Sequence, residues 1–350
     1  MGDVAMAHVP EWLETQAQAC ERLGSTLYAH LLRRTAEDLR AGGPAARVLE
    51  VVAADDRSSA PALRLMAAVH RLALARKLPA LALHLPSLGG TANGDAWPAF
   101  RAALVDHADE LRAAITRRCQ TNEVGRSAAL LGGYLLLRGE HRLPLRLLEI
   151  GSSAGLNLRV DWYRFDGAGW SFGPADSPVV IAHDSDLPAS LRACDLQIAQ
   201  RAGCDPAPVD PTTAEGRLTL SASVWADRPD RFARLSGALQ VAAHVPVTVD
   251  AESAGTWIPR QLAQPTPGVA TVVVHSAVWQ YVAPGDRRAV AQALERAGSA
   301  ATLAAPVAWL RMEPVSHLRD MEVHLTTWPG GIERHIADAG AHGDPVRWRL

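Results

Sequence analysis

The segment LLEIGSSAGLNL, residues 147–158, constrains the fold more than any other part of the sequence. It reads as a buried strand that ends in an acid, then a tight turn rich in glycine and serine, then the start of a helix. Several α/β folds use such a turn to present backbone groups to a cofactor at the carboxyl end of a strand. The segment therefore predicts an α/β fold with its functional site at this turn.

The two sides of this segment differ in pattern. Residues 8–145 contain only helical periodicity, which is clearest in the predicted helix over residues 95–118. From Leu145 onward, short apolar strands alternate with helices, as in α/β domains. We therefore predict a helical N-terminal domain or lid (residues 1–140) and a Rossmann-like domain (residues 141–350).

The pattern after residue 145 also predicts the layout of the sheet. An inserted hairpin or loop is expected over residues 162–181. Only residues 313–320 separate the fifth long strand from the next one, whereas a parallel connection needs a dozen or more residues. We therefore predict a mostly parallel sheet whose C-terminal strands form an antiparallel meander. The predicted strands cover residues 145–150, 196–204, 245–250, 269–275, 307–312, 322–328, 332–337 and 346–350.

Composition narrows the class of protein. The chain has 350 residues and a formal net charge of −2, which favours neither nucleic acid nor an acidic membrane surface as partner. Its single lysine, Lys77, disfavours Schiff-base and P-loop chemistry. The four cysteines are far apart, so we expect free thiols and no metal site. Without a signal peptide or a long apolar run, we expect a cytoplasmic protein that acts on a small molecule.

Two of the chemistries that could use the turn fit it poorly. Gly151-Ser152-Ser153-Ala154-Gly155 matches G-x-S-x-G, with Ser153 as a hydrolase nucleophile. However, an α/β-hydrolase has several strands before this turn, and here a helical region precedes it. Dinucleotide binding needs G-x-G-x-x-G, but the turn offers only G-x-x-x-G. The serine hydrolase is the less favoured reading, and the dinucleotide site is weaker still.

The turn fits an S-adenosylmethionine site best. Glu149-x-Gly151-x-Ser153-x-Gly155 resembles the first motif of class I methyltransferases, acid-x-Gly-x-Gly-x-Gly, with serine at the middle glycine. Glycines let the chain turn tightly against the amino-acid half of the cofactor, and the acid can engage its ammonium group. We assign the cofactor-binding turn to Glu149, Gly151, Ser152, Ser153, Gly155 and Asn157.

Later strands supply further candidates in the order expected of such a site. Asp205, with Asp210 in reserve, follows the second strand and can accept the ribose hydroxyls. Asp250 ends the third strand and can bond the adenine amino group. Because ligands bind at the carboxyl ends of strands in open α/β sheets, these groups should converge. The end of the fourth strand should face the transferred methyl group through His275, Ser276, Trp279 and Tyr281.

A polar cluster precedes the first strand. Asn122, Glu123 and Arg126 open the last helix of the N-terminal region. They fit two roles, a helix cap with a surface salt bridge, or a grip on a zwitterionic ligand at the cofactor mouth. If the reaction needs a general base, His275 or Glu123 is the first candidate.

From about residue 10 to its end, the chain resembles the uncharacterised, mostly actinobacterial proteins grouped as domain of unknown function 2332. The resemblance is carried by residues 120–126, 147–158, 203–210, 275–281, 328–331 and 342–343. It implies a shared fold and site, similar to a class I methyltransferase with a helical N-terminal extension. The expected function is S-adenosylmethionine-dependent methyl transfer to a small molecule. The alternative is a methyltransferase-like scaffold that binds a ligand or partner without turnover.

Overall fold

A computed structural model describes residues 6–55, 59–315 and 321–350. The chain divides into two compact units. The first comprises Met1–Thr121 and Thr213–Ala233, and the second comprises Asn122–Thr212 and Arg234–Leu350. The predicted boundary at residue 140 lies within the helix Ser127–His141, which belongs to the second unit.

The first unit is helical, and its described residues contain no β-strand, as the sequence pattern predicted. The predicted helix over residues 95–118 is divided in two, because His107 leaves helical geometry (φ −119°, ψ 24°). The core consists of buried leucines from successive helices with Phe100 among them. The helices are Val9–Arg22, Thr26–Arg40, Ala45–Leu49, Pro61–Leu74, Pro79–Ala82, Trp97–Asp106, Ala108–Ile115 and Ala214–Ser223.

The second unit contains two sheets. Its strands are β1 (Leu145–Ile150), β2 (Arg164–Gly167), β3 (Trp170–Phe172), β4 (Val180–Ala182), β5 (Ile198–Cys204), β6 (Thr248–Asp250), β7 (Ala270–Ser276), β8 (Val307–Pro314), β9 (Met321–Trp328), β10 (Ile332–Ala339) and β11 (Val346–Trp348). The large sheet has the order β11-β10-β9-β8-β7-β1-β5-β6. Strands β6, β5, β1, β7 and β8 are parallel, and β8 to β11 are antiparallel. The predicted mostly parallel sheet with an antiparallel C-terminal meander is confirmed.

Two local features follow β1. The predicted insertion over residues 162–181 forms a small sheet of order β3-β2-β4. A helix begins directly after the turn, as predicted. It is the 3-10 helix Leu156–Trp162, which is kinked at Arg159 (φ −105°). Regular helical geometry stops there because the Arg159 guanidinium group bonds back to the turn, to the carbonyl oxygen of Gly155 at 2.8 Å.

Helices cover both faces of the large sheet, and β1 and β7 are accordingly buried along nearly their whole length. On one face, Gly133 lets a helix approach so closely that an added Cβ would lie 2.6 Å from Leu310 Cδ1. On the other face, Trp257, Ile258 and Leu294 form a buried cluster with Val273. These helices are Ser127–His141, Ala254–Gln261 and Pro284–Ser299, and Ala189–Arg192 and Pro229–His244 complete the α-helices of the described residues.

Candidate functional site

The parallel strands end level with one another. Ile150 of β1 pairs with Cys204 of β5, which pairs with Asp250 of β6. On the other side of β1, Glu149 is in register with Val274 of β7. The turn after β1 and the residues after β5, β6 and β7 therefore share one edge of the sheet, as ligand-binding groups do in open α/β sheets.

The turn after β1 has a left-handed backbone at alternate residues. Gly151, Ser153 and Gly155 have φ values of 66°, 53° and 65°. An added Cβ at Gly151 would collide with Cγ2 of Val278, and one at Gly155 would lie 3.0 Å from Val247 Cγ1. Both glycines are thus required by conformation and by space. Ser153 adopts a conformation that costs a side chain roughly 1 kcal/mol or more.

Strand β5 and the residue after it accept the backbone N–H groups in the first half of the turn. The backbone nitrogens of Gly151 and Ser152 donate to the carbonyl oxygen of Cys204 at 2.8 and 3.2 Å. The backbone nitrogen of Ser153 donates to Oδ2 of Asp205 at 3.1 Å. The acid predicted for the cofactor ribose therefore also fixes the middle of the turn.

Asn122 accepts backbone N–H groups in the second half of the turn. Its side-chain Oδ1 accepts hydrogen bonds from the backbone nitrogens of Ala154 (3.3 Å) and Leu156 (2.9 Å). Between them, the nitrogen of Gly155 donates to the carbonyl oxygen of Ser152 at 2.7 Å. Every backbone N–H from residue 151 to residue 156 thus has an acceptor within the chain. The carboxamide of Asn122 serves the turn, and the predicted side-chain cap comes from Glu123, which caps the 3-10 helix Val124–Arg126 directly before the helix Ser127–His141.

Arg159 holds the turn through its carbonyl oxygens. Its Nη1 donates to Gly155 (2.8 Å) and Ala154 (3.3 Å), and its Nε donates to the carbonyl oxygen of Val245 at 2.8 Å. The side chain is buried, and burial lowers the pKa of its guanidinium group. The turn is therefore bonded through both its N–H and its C=O groups.

Glu149 is the acid at the end of β1 and is only 4% exposed. Burial raises the pKa of its carboxyl group to about 8, although a hydrogen bond with Asn157 and the charges of Arg126 and Arg159 act in the opposite direction. Asn157 is itself fixed by the hydroxyl of Ser127, which donates to its Oδ1 at 3.0 Å. Oε2 of Glu149 is buried without a hydrogen-bond partner in the described part of the chain. This atom can bond a donor that enters the site.

Glu123 and Arg126 serve the local structure. Glu123 is buried, and its Oε1 accepts a hydrogen bond from the backbone nitrogen of Gly125 at 3.1 Å. Arg126 donates from Nε to the carbonyl oxygen of Ala341 (3.0 Å) and from Nη1 to that of Ser276 (3.4 Å). Arg126 thus joins the end of β7 to the loop between β10 and β11.

His275 lies at the end of β7 and has no exposed surface. Its Nδ1 lies 2.7 Å from Oε1 of Glu313, and its ring stacks on Trp279 with centroids 4.7 Å apart. Glu313 Oε1 also accepts hydrogen bonds from the backbone nitrogens of Val278 (3.1 Å) and Trp279 (3.3 Å). A carboxylate at Nδ1 leaves Nε2 as the basic nitrogen, and Nε2 is buried without a partner among the described residues.

The carboxylates of the remaining predicted acids, Asp205, Asp210 and Asp250, each already accept a hydrogen bond from the protein. Oδ2 of Asp250 accepts the indole N–H of Trp257 at 2.6 Å, and the backbone nitrogen of Asp205 donates to the carbonyl oxygen of Asp250 at 3.1 Å. Asp210, the reserve candidate, accepts the backbone nitrogen of Thr212 in a local turn. Asp205 and Asp250 are therefore adjacent at the sheet edge, and Asp210 fixes the loop after them.

Two further features concern the two ends of the large sheet. Tyr281, predicted for the cofactor mouth, is 52% exposed in a 3-10 turn. A cavity of about 200 Å³ lies near the opposite end of the sheet, where its lining includes the early strand residues Arg146, Thr271 and Val307. This cavity shares no residue with the predicted site.

Sequence reasoning missed Arg159 and Glu313. Both are charged residues that become buried or half-buried by bonding main-chain groups brought together by the fold. An acid near the end of a predicted strand was the only signal for Glu313, and no local pattern marked Arg159.

The fold and this edge define a mixed α/β protein with a mostly parallel central sheet and a glycine-rich turn after its first strand. The chain belongs to the family described as an uncharacterized protein conserved in bacteria, domain of unknown function 2332, whose model matches residues 10–348. No curated protein and no solved structure matches the chain. In the described residues, no helix is both long and apolar enough to cross a membrane.

Proposed function

We propose that this protein binds S-adenosylmethionine at the carboxyl edge of the large sheet and transfers its methyl group to a small molecule. The observation that carries the proposal is the placement of the glycine turn, Asp205 and Asp250 at the ends of adjacent parallel strands. The strand order β6-β5-β1-β7-β8, with β9 antiparallel to β8, is the order expected of a class I methyltransferase-like sheet.

The chemistry of the available donors and acceptors supports this cofactor. The buried, unpartnered Oε2 of Glu149 would accept a hydrogen bond from the cofactor ammonium group. Oδ1 of Asp250 makes no hydrogen bond with another described residue and would accept the adenine amino group. Each carboxylate oxygen has two lone pairs, so Asp205 keeps capacity for the ribose hydroxyls beside its backbone bonds.

The hydrogen bonds of the turn disfavour the other two chemistries. A pyrophosphate needs free backbone N–H groups, and those of residues 151–156 are occupied. A nucleophilic Ser153 would use the backbone nitrogen of Ala154 for its oxyanion hole, and Asn122 already accepts that N–H. We therefore expect no labelling of Ser153 by a fluorophosphonate probe.

The bound cofactor would supply an electrophilic methyl group on a sulfonium centre. The role of the protein is then mainly to orient the acceptor in line with that group. Trp279 would provide an aromatic surface near the positive charge. His275 is fully buried beneath Trp279, so we assign it a positioning role in place of the general base expected from the sequence.

A second candidate function is ligand binding without turnover. The burial of both predicted bases, His275 and Glu123, favours it. Incubation of the protein with methyl-labelled cofactor and a small-molecule cell extract separates the two functions. Transfer of label together with formation of S-adenosylhomocysteine supports the methyltransferase function, whereas tight binding without transfer supports ligand binding without turnover.

Calorimetry with S-adenosylmethionine and S-adenosylhomocysteine tests the site itself. Asp250→Asn and Asp205→Asn should each weaken binding at least about tenfold, since each removes a charged acceptor. The matched control is Asp186→Asn, an exposed acid of the same unit. Absence of binding at high micromolar concentration would refute the proposal. Binding that is unchanged in both variants would refute the assigned residues. Ser153→Gly should bind at least as tightly as the wild type, because glycine removes the strained side chain.

A further inference from the structure

We propose that the face of the β9–β10 hairpin that carries Glu322, His324 and His335 binds a divalent transition-metal ion of the zinc type. One ligand atom from each of these side chains lies within 4.8 Å of the others. His324 and His335 are directly opposite each other on adjacent antiparallel strands. Glu322 is two residues before His324 and therefore on the same face. The hairpin thus brings together two imidazoles and a carboxylate, the ligand set of many zinc sites with an open position.

Carboxylate oxygens outside the ligand set also lie near a ring nitrogen of each histidine. His335 Nε2 lies 2.9 Å from Asp338 Oδ1, which leaves Nδ1 as the ligand atom. His324 Nε2 lies 2.9 Å from Glu322 Oε2, and its Nδ1 lies 3.2 Å from Glu333 Oε1. Metal-binding histidines usually donate their other N–H to such a group, which fixes the ring and raises its basicity. At His335 this hydrogen bond goes from Nε2 to the carbonyl oxygen of Ala337 at 3.1 Å, with Asp338 Oδ1 beside it, whereas His324 Nδ1 has no hydrogen-bond partner among the described residues.

The register of the sheet gives an independent reason to expect a cation here. Glu322 is directly opposite Glu313 of β8 and directly opposite Asp338 of β10. Like charges that face each other across strands are destabilising. Arg349 pairs with Asp338 at 2.7 Å, but Glu322 has no guanidinium partner in the described residues. A bound cation would offset the repulsion along this row.

Binding requires a small local rearrangement. The two imidazole rings stack with centroids 4.8 Å apart and an interplanar angle of 9°, so their in-plane lone pairs do not yet converge. Ligand atoms around a tetrahedral zinc ion are about 3.3 Å apart. Rotation of the His324 ring, whose Nδ1 makes no hydrogen bond with another described residue, would close this gap while His335 keeps its bond to Ala337, and a side-chain exposure of 26% at His324 leaves room for it. The sequence alone predicted no metal site, because these ligands come from two strands.

The test uses the full untagged chain, stripped with a chelator and titrated with Zn²⁺ in a calorimeter. We expect one ion per chain with a dissociation constant below about 10 µM. His324→Gln and His335→Gln should each weaken binding at least about tenfold. The matched control is His30→Gln, which removes an exposed histidine 3.0 Å from a lone carboxylate, Asp95, and should bind zinc like the wild type.

Thermal unfolding provides a second measurement. Zn²⁺ should raise the melting temperature of the wild type and of His30→Gln but not that of Glu322→Gln. Glu322→Gln keeps the size of the side chain, so it decides the question if a histidine variant fails to fold. Failure of the wild type to bind zinc, or equal binding by the wild type, His324→Gln and Glu322→Gln, would overturn the proposal.

Discussion

The side-chain oxygen of Asn122 lies 2.9 Å from the backbone nitrogen of Leu156, and this bond joins the start of the second unit to the end of the glycine turn. The same oxygen also accepts the N–H of Ala154. The turn that follows β1 is therefore held by a residue that precedes β1 in the sequence, with the helix Ser127–His141 between them. Asn122 is also the first residue of the second unit.

Replacement of Asn122 by alanine should destabilise the turn. Two backbone N–H groups lose their acceptor, and we expect a cost of about 2 kcal/mol. Hydrogen exchange measured by mass spectrometry should show faster exchange at Ala154 and Leu156, by at least about tenfold. Asn93→Ala, at an exposed position of the first unit, is the control. Unchanged exchange in Asn122→Ala would show that the turn does not depend on this bond.

Glu149 should make the stability of the protein depend on pH. Burial raises its pKa to about 8, well above the ordinary value of 4.5, so the folded state binds a proton that the unfolded state releases. The contribution is fully present below about pH 4.5 and is lost as the pH rises through about 8. Relative to Glu149→Gln, the wild type should lose free energy of unfolding across this range and level off above it.

Urea unfolding at intervals from about pH 5 to about pH 9 measures this difference. Glu295→Gln, at an exposed helix position, is the control and should leave the pH profile of the wild type unchanged. A difference between wild type and Glu149→Gln that is constant with pH would contradict the buried, protonated carboxyl group. If the cofactor ammonium group binds Glu149, calorimetry in two buffers should also detect a proton released on binding near pH 7.

Gly151→Ala should be strongly destabilising. The new Cβ would collide with Val278 and would impose a left-handed backbone on alanine, at a combined cost of about 3 kcal/mol. In the double variant Gly151→Ala/Val278→Ala, the destabilisation caused by the collision should disappear, and the destabilisation caused by the left-handed backbone should remain. The control is Gly285→Ala near the start of the helix Pro284–Ser299, where the added Cβ meets nothing closer than 4.0 Å. Denaturant unfolding of the four proteins gives the comparison.

Glu313→Ala should loosen the segment after β7. It removes the acceptor of His275 Nδ1 and of the backbone nitrogens of Val278 and Trp279, and we expect a loss of about 3 kcal/mol. Glu313→Gln keeps an acceptor oxygen and should lose less. Quenching of tryptophan fluorescence by a soluble quencher should increase in the alanine variant, because Trp279 leaves its stack on His275. Equal stability of the two variants would mean that an amide oxygen does not replace the carboxylate, and that the negative charge of Glu313 carries the stabilisation.

Hydrophobic patterning was sufficient to predict the strands of the large sheet, but for residues 162–181 it predicted only a hairpin or loop, where β2, β3 and β4 form. The β-branched run of β7 and the short link after β8 are local signals, and both correctly indicated the parallel sheet and its antiparallel end. The helix Ala214–Ser223 was missed because few of its residues are apolar. Its one clear signal was Thr213, whose hydroxyl oxygen accepts the backbone N–H of Gly216 at the helix start.

The partners of polar side chains could not be read from local patterns. Asn122 and Arg159 were free to cap a helix or to lie at the surface, and only the fold brings them to the turn. The conformation of Ser153 has the same origin, because the acceptors on β5 and at Asn122 force a positive φ on a non-glycine residue. His275 was correctly placed at the end of a buried strand, but its complete burial depends on Trp279 and Glu313.

The lengths of the two edge strands affect how the protein behaves at high concentration. The large sheet ends in β6 on one side and β11 on the other, and each contains only three residues. An edge strand exposes unpaired N–H and C=O groups that can recruit a strand from another molecule, and short edges limit this. The eight-stranded sheet is therefore poorly suited to grow by edge-to-edge addition, which protects the chain from this route to aggregation.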